Sequence, residues 1–279
     1  MKQLLIPTDF SENAWQAMEY GMELFKNTKC VFHILHIDSV MEIMEDDEEV
    51  FTTAGLMEDI AIKESMSQMQ LVLQRIKRLP PNANHSFVTN VVYAFLVESI
   101  RKEIVDKKID LIIMGTKGGS GLRKFTLGSN TGDVMTKIKC PLLIVPKNAR
   151  YIKPIEIAFA TDFRINYSLN VLDALTKMVQ MNKATLSIVY VFGKREALSE
   201  QQKENKEILH DYLKEIPHSF QAIQGKNIEA SLQEYVKSHG INMIAMVAKN
   251  LNFLQRILFR PTVKEISYHT HIPFLVLHE

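Results

Sequence analysis

Short apolar runs alternate with amphipathic stretches along the chain. The first apolar run, Gln3–Ile6, ends at a polar turn, and apolar residues then recur at helical spacing as far as Phe25. This pattern predicts a strand, a loop and a helix. The elements predicted after them are strands at Cys30–Ile37, Ser86–Val92, Asp110–Met114 and Leu142–Val145 and helices at about Leu56–Leu79, Leu96–Lys107 and Asn130–Ile138. Such alternation predicts a parallel sheet with helices on both faces.

The pattern occurs twice in the chain. The corresponding segments are Ile6–Phe10 and Phe159–Phe163, Asp110–Met114 and Asn242–Met246, and Cys140–Val145 and Ile272–Leu277. The first pair has an offset of 162 − 9 = 153 residues and the other two an offset of 273 − 141 = 132, so the second copy lacks 153 − 132 = 21 residues. The acidic stretch Glu42–Gly55 is the predicted place of that loss. We expect two tandem doubly wound, Rossmann-like α/β domains at residues 1–149 and 150–279, each with a mainly parallel five-stranded sheet.

Composition supports two ordinary globular domains. The 279 residues are 46% hydrophobic and 23% charged, and the formal net charge is +1. The sequence has no local basic patch, and so small a net charge does not favour binding to nucleic acid or to an anionic membrane. Cys30 and Cys140 lie in apolar runs, which favours core thiols in a reducing cytoplasm.

A glycine-rich segment follows the fourth predicted strand. Five glycines fall between Gly115 and Gly128, and Ser129 comes just before the next predicted helix. Glycines let backbone amides approach an anion closely, and the N-terminus of a helix favours negative charge. The segment matches neither a Walker A loop nor the dinucleotide-binding fingerprint. We therefore predict a different kind of phosphate site at this end of the strand.

The spacing Gly115-x2-Gly118-x9-Gly128-Ser129 resembles the ATP-binding signature of the universal stress protein family, and Pro7-Thr8-Asp9 is similar to the family's adenosine-side element. The resemblance implies that the first copy holds ATP, with AMP, ADP and an accompanying Mg²⁺ ion left open. It also implies that Asp9 and the backbone at Ile37 contact adenine and ribose, and that the loop holds the phosphates. The full set of expected cofactor-binding residues is Pro7, Thr8, Asp9, Ile37, Met114, Gly115, Gly118, Gly128, Ser129 and Asn130.

The second copy departs from this signature. At the offset of 132, the signature positions are occupied by Val247, Asn250, Arg260 and Pro261. Valine is poorly suited to a positive φ, and proline lacks an amide that could bind a phosphate. We therefore expect no nucleotide in the second copy. The apolar segment Leu251–Phe259 is expected to pack against another surface.

Other polar clusters carry weaker predictions. The acidic run Glu45–Glu49 is more typical of a solvated loop than of a cation site. The group of His269, His271 and His278 lacks the usual ligand spacing of a zinc site. No metal-ligating residue and no catalytic residue is therefore predicted.

The favoured function is that of a cytoplasmic ATP-binding stress-response protein, whose first domain acts as a binding or regulatory module. Two alternatives stay open: a weak ATPase or autophosphorylating enzyme that uses Ser129 or Thr131, and a nucleotide-free scaffold. The resemblance further implies that Leu142–Val145 and Phe274–Leu277 pair across a pseudo-twofold, so that the two domains form an intramolecular pseudo-dimer. A homodimer of the whole chain is also left open.

Overall fold

The computed structural model describes residues 1–38, 48–116, 129–147, 149–164, 167, 169–192, 197–225, 227–248 and 271–278. Contacts divide the chain into two compact units, and among the described residues those up to Cys140 belong to the first and those from Pro141 to the second. The boundary near residue 150, which rests on the sequence repeat, remains a prediction.

The first unit is a parallel α/β layer. Its elements are β1 (Lys2–Thr8), α1 (Glu12–Leu24), β2 (Cys30–Asp38), α2 (Glu48–Lys77), β3 (His85–Tyr93), α3 (Leu96–Lys107), β4 (Leu111–Gly115) and α4 (Ser129–Lys137). The strand order is β3-β2-β1-β4, and every pair is parallel. The chain therefore builds outward from β1 to one side and returns to its other side with β4. The topological switch point, where doubly wound sheets bind ligands, lies between β1 and β4.

The second unit repeats this layer. Its elements are β5 (Leu142–Val145), β6 (Glu156–Ala160), α5 (Leu169–Asn182), β7 (Thr185–Phe192), α6 (Glu200–Tyr212), β8 (His218–Gln224), α7 (Ile228–Ser238), β9 (Met243–Val247) and β10 (Phe274–Leu277). Its strand order is β5-β10-β9-β6-β7-β8. All pairs are parallel except β5 with β10, which is antiparallel with Leu275 opposite Leu143. The alternating α/β fold predicted from the sequence is confirmed.

The sequence repeat and the contacts assign the strand β5 to different halves of the chain. The repeat assigns Leu142–Val145 to the first copy, but its antiparallel pairing with Phe274–Leu277 joins it to the second unit. This pairing of the last strands of the two copies is the one that the resemblance implies. Both strands are fully buried, as apolar four-residue segments inside a sheet require.

The helices α2 and α6 account for most of the length difference between the copies. The helix α2 has 30 residues and α6 has 13, a difference of 17 out of the 21 residues that the repeat offsets require. The helix α2 begins at Glu48, so Glu48 and Glu49 do not belong to a solvated loop as the sequence analysis expects. Acidic residues are favoured in sequences at the N-terminus of a helix, where the helix dipole is positive. Residues 45–47 lie outside the described part of the chain.

Candidate nucleotide site

The carboxyl end of β1 continues into a tight polar turn. Phe10 has a φ of 62°, in the left-handed region, and its amide donates to Oγ1 of Thr8 at 3.0 Å. Oδ1 of Asp9 accepts from the amide of Ser11 at 3.1 Å and from its hydroxyl at 2.6 Å. Ser11 in turn accepts from the amide of Ala14 and is the N-cap of α1. Asp9 is therefore not the cap; its carboxylate is exposed and is held at the edge of the sheet by Ser11.

The carboxyl end of β4 is in close contact with the start of α1. A Cβ atom on Gly115 would lie 2.7 Å from Nδ2 of Asn13 and 2.9 Å from its carbonyl oxygen. Such distances are too short for any side chain, so the packing of α1 alone requires glycine at this position.

The first turn of α4 lies at the same place. The hydroxyl of Thr131, which is 3% exposed, donates to the carbonyl oxygen of Gly115 at 2.8 Å. This bond fixes the N-terminus of α4 beside the carboxyl end of β4. Free amides and the helix dipole at such an end favour an anion.

A polar group that was not predicted from the sequence, the histidine cluster of His36, Asp38 and Ser65, joins β1 to β2. Nδ1 of His36 lies 2.7 Å from the carbonyl oxygen of Thr8, and Nε2 lies 3.1 Å from Oδ1 of Asp38. The ring of Phe10 stacks on the His36 ring, with centroids 4.1 Å apart. Ser65 on α2 also donates to Oδ1 of Asp38, at 3.1 Å. The cluster therefore fixes the β1 turn against the end of β2.

A sequence signal for this cluster exists. The strand β2 is mostly apolar, and His36 and Asp38 interrupt it at its carboxyl end, on the same face of the sheet. Polar residues at that end of a parallel strand are candidates for a ligand site.

A salt bridge neutralises the first turn of α1. Both carboxylate oxygens of Glu12 accept from the guanidinium of Arg75 on α2, and this hydrogen bonding holds the pKa of Glu12 below its ordinary value. The same guanidinium stacks over the Trp15 ring, 4.1 Å from its centroid. The carboxylate in the first turn of α1 is therefore paired with a cation.

The structure brings part of the predicted site together. The strands β2, β1 and β4 are neighbours, so their carboxyl ends place Asp9, Ile37 and Gly115 at one edge of the sheet. The register of β1 on β4, with Leu5 opposite Ile112, brings Pro7 level with Met114 when it is continued by two residues.

The predicted residues differ in accessibility. The side chains of Pro7, Thr8 and Met114 are buried, so they offer only backbone groups to a ligand. Ile37 is half-buried, and Asn130 on α4 is exposed. Ser129 is the first residue of α4, but its side chain lies outside the described part, as do Gly118 and Gly128.

The second copy has the same turn after β6. Phe163 has a φ of 57°, its amide donates to Oγ1 of Thr161 at 3.1 Å, and Oδ1 of Asp162 accepts from the amide of Arg164 at 2.9 Å. Here the threonine also bonds to Tyr167, at 2.7 Å, and burial raises the pKa of that phenol. The turn is thus a property of both copies.

The end of β9 is different from that of β4. Val247 stands where the first copy has Gly115, and it ends the strand half-buried. The other altered signature positions, Asn250, Arg260 and Pro261, lie outside the described residues.

The described part of the chain contains neither a metal-binding group nor a membrane-spanning helix. Among the described residues, no three His, Cys, Asp or Glu side chains are grouped so that they could hold a metal ion. No described helix combines the length and the apolar character that a membrane span requires.

Solved structures with the same fold cover the whole chain. A universal stress protein from Archaeoglobus fulgidus aligns with a TM-score of 0.64 at 15% identity, over 99% of this chain and 98% of its own. A putative universal stress protein from Pseudomonas aeruginosa aligns with a TM-score of 0.57 at 16% identity, over 100% of this chain and 93% of its own. At these identities the likeness establishes the fold.

Sequence comparison gives the family. Two universal stress proteins of Methanocaldococcus jannaschii match: one is 30% identical over 155 residues, 52% of this chain and 95% of its own length, and the other is 25% identical over 146 residues, 52% and 82%. The family model described as "Universal stress protein family" matches residues 1–146. Together with the repeated α/β layer, these matches show that the chain belongs to the universal stress protein family.

Proposed function

We propose that the first copy binds ATP at the carboxyl edge of β1 and β4 and acts as a nucleotide-dependent binding or regulatory module. The observation that carries the proposal is the position of the α4 N-terminus. The bond from Thr131 to Gly115 sets that helix end beside the switch point of the sheet, where an anion is stabilised. Family membership and the glycine spacing support the same ligand.

The proposed roles follow from the geometry and the resemblance. The exposed carboxylate of Asp9 accepts from the ribose hydroxyls, and backbone groups at Ile37 contact adenine. The backbone of Gly115, Gly118 and Gly128 would approach the phosphates, with Ser129 and Asn130 at the helix end donating to them. A Mg²⁺ ion would arrive with the phosphates, because it binds mainly to their oxygens and to water.

We propose that only the first copy holds nucleotide. The second copy retains the Thr161-Asp162 turn, but Val247 replaces Gly115 at the strand end that precedes the phosphate loop. The expected stoichiometry is one ATP per chain.

The enzymatic alternative uses Ser129 or Thr131, and the structure gives an argument against Thr131. The Thr131 hydroxyl is buried and donates its proton to Gly115, so it is poorly placed to accept a phosphoryl group. The scaffold alternative gains one argument, because the packing of Asn13 explains Gly115 without a ligand. In that alternative, the glycines beyond Gly115 only shape the loop.

Calorimetric titration of the intact chain with ATP, ADP and AMP, with and without Mg²⁺, tests the proposal. We expect saturable binding of ATP at one site. No measurable binding at millimolar nucleotide would support the scaffold and eliminate the proposal. A single-turnover assay with labelled ATP tests the enzymatic alternative: a rate well above that of free ATP, abolished by Gly128→Val, would favour it.

A further inference from the structure

The second copy contains a cavity of about 230 Å³ beneath α6, on the face of the sheet formed by β7 and β8. Four aromatic residues line it: Phe163, Tyr190, Phe192 and Phe220. Ile188 and Phe163 are fully buried and form the floor, whereas Ala222 on the edge strand β8 is exposed at the rim. The cavity is therefore apolar inside and accessible from one side.

The cavity lies where the first copy has its histidine cluster. The strand registers show this, since Pro7 is opposite Leu35 and Ala160, its equivalent, is opposite Val189. One residue further, Tyr190 is the equivalent of His36, and two more residues along, Phe192 is the equivalent of Asp38. The imidazole and carboxylate that tie the first copy together are thus replaced by two stacked aromatic rings, 5.9 Å apart.

Hydrogen bonds and ring contacts within the second copy hold the walls of the cavity in place. Two buried side chains of α6 bond to the turn after β6: Gln202 donates to the carbonyl oxygen of Asp162 at 2.7 Å, and Asn205 to that of Phe163 at 2.8 Å. The Phe163 ring packs on Tyr190 and Phe220, with centroids 5.5 and 6.2 Å away. A site that is already formed costs little ordering free energy on binding.

Among the described residues, Lys206 is the cation that lines the cavity. Nζ of Lys206 lies 5.0 Å from the centroid of the Phe220 ring, and no carboxylate among the described residues is within ion-pairing distance of it. The neighbouring Lys203, by contrast, is paired with Glu200 at 2.6 Å. Lys206 is half-buried, so an anionic group at the mouth of the cavity would gain a charge-assisted hydrogen bond.

The volume limits the size of the ligand. An apolar cavity of about 150 Å³ accommodates benzene, so 230 Å³ suits one ring or two fused rings. We propose that the second copy binds a small aromatic carboxylate, with its rings among Tyr190, Phe192 and Phe220 and its carboxylate on Lys206. This site is independent of the nucleotide site proposed for the first copy.

Titration of the intact chain with 2-naphthoate, and with the uncharged 2-naphthylmethanol as its comparison, tests the proposal. We expect 2-naphthoate to bind the wild-type chain more tightly than the alcohol. Lys206→Met keeps the aliphatic stem and removes the charge, and should weaken naphthoate binding roughly tenfold while leaving the alcohol unaffected. Lys203→Met, one turn earlier on the same helix, should leave both affinities unchanged.

Two further measurements place the ligand. Leu198→Trp fills the cavity from its rim and should abolish binding of both compounds, with circular dichroism as the check that the fold is kept. In the wild-type chain, nuclear Overhauser effects should connect the naphthalene protons to the methyl groups of Ile188 and Leu198. The proposal is overturned by absence of naphthoate binding at millimolar concentration, by equal affinities of the wild type and Lys206→Met, or by contacts to methyl groups elsewhere.

Discussion

Asn13 leaves no room for a side chain at Gly115. A Cβ atom there would lie 2.7 Å from Nδ2 of Asn13 and 2.9 Å from its backbone oxygen. Gly21, which lies on α1 as Asn13 does, approaches β4 as closely, since a Cβ atom on it would lie 2.7 Å from Cδ1 of Ile113. The obstacle at Gly115 includes backbone, whereas that at Gly21 is the end of a flexible side chain, so the two glycines should respond differently to substitution.

Gly115→Ala should lower the free energy of unfolding by about 1–3 kcal/mol, the usual range for overpacking. Gly21→Ala is the matched control and should be near neutral, because Ile113 can move and alanine favours a helix by about 1 kcal/mol over glycine. Urea denaturation measures both. Equal losses in the two variants would contradict this account of the α1–β4 contact.

Asp9 and Asp162 occupy the same turn in the two copies. Variants at the two positions therefore distinguish an effect on nucleotide binding from an effect on stability. Each aspartate accepts from the amide two residues ahead, Ser11 or Arg164. Replacing either by alanine should cost a similar amount of stability, about 0.5–1.5 kcal/mol. Asp9→Ala should also weaken ATP binding about tenfold, as the loss of a hydrogen bond to ribose implies.

Asp162→Ala should leave the ATP affinity of the chain unchanged. Calorimetric titration of the two variants side by side gives the comparison. If both lower the affinity equally, nucleotide is not confined to the first copy.

Thr131 links α4 to the end of β4. Thr131→Val removes the donor to Gly115 in a buried place and should cost about 1–3 kcal/mol of stability. It should also weaken ATP binding, because the helix end would lose its fixed position. Thr131→Ser keeps the hydroxyl and should retain most of the affinity. A valine variant that binds ATP like the wild type would show that this bond does not position the site.

The two thiols should be unreactive in the folded chain. Burial raises the pKa of Cys30 from its ordinary value of 9.0 to about 11 and that of Cys140 to about 12. Little thiolate therefore exists near pH 8, and an aromatic disulfide reagent should label both cysteines slowly until denaturant is added. The variants Cys30→Ala and Cys140→Ala identify which thiol reacts, and rapid labelling of the native wild type would contradict the burial.

The same pKa shifts determine in which direction the free energy of unfolding changes with pH. Well below pH 9 both states keep these protons, so the thiols contribute no slope. From pH 9 toward 11 to 12, the unfolded chain binds fewer protons than the folded chain, and the free energy of unfolding falls. Denaturation curves across this window should show a shallower fall in the two alanine variants.

Much of the fold was determined by the sequence itself. The apolar runs at Gln3–Ile6 and Asp110–Met114 predicted β1 and β4, because strands buried on both faces must be apolar throughout. The repeat predicted the second layer, and the turns at Phe10 and Phe163 confirm it with left-handed φ values of 62° and 57°. These features depend on local chemistry and periodicity, which a single sequence displays.

Other features were decided only by the tertiary structure. Gly115 is required because of Asn13, which is 115 − 13 = 102 residues away along the chain. The cluster of His36, Asp38 and Ser65 forms only when β2 and α2 pack together. The strand Leu142–Val145 belongs to the first copy by sequence and to the second unit by its pairing with β10. Each depends on contacts between distant segments, and a pattern of neighbouring residues does not specify which distant segments will meet.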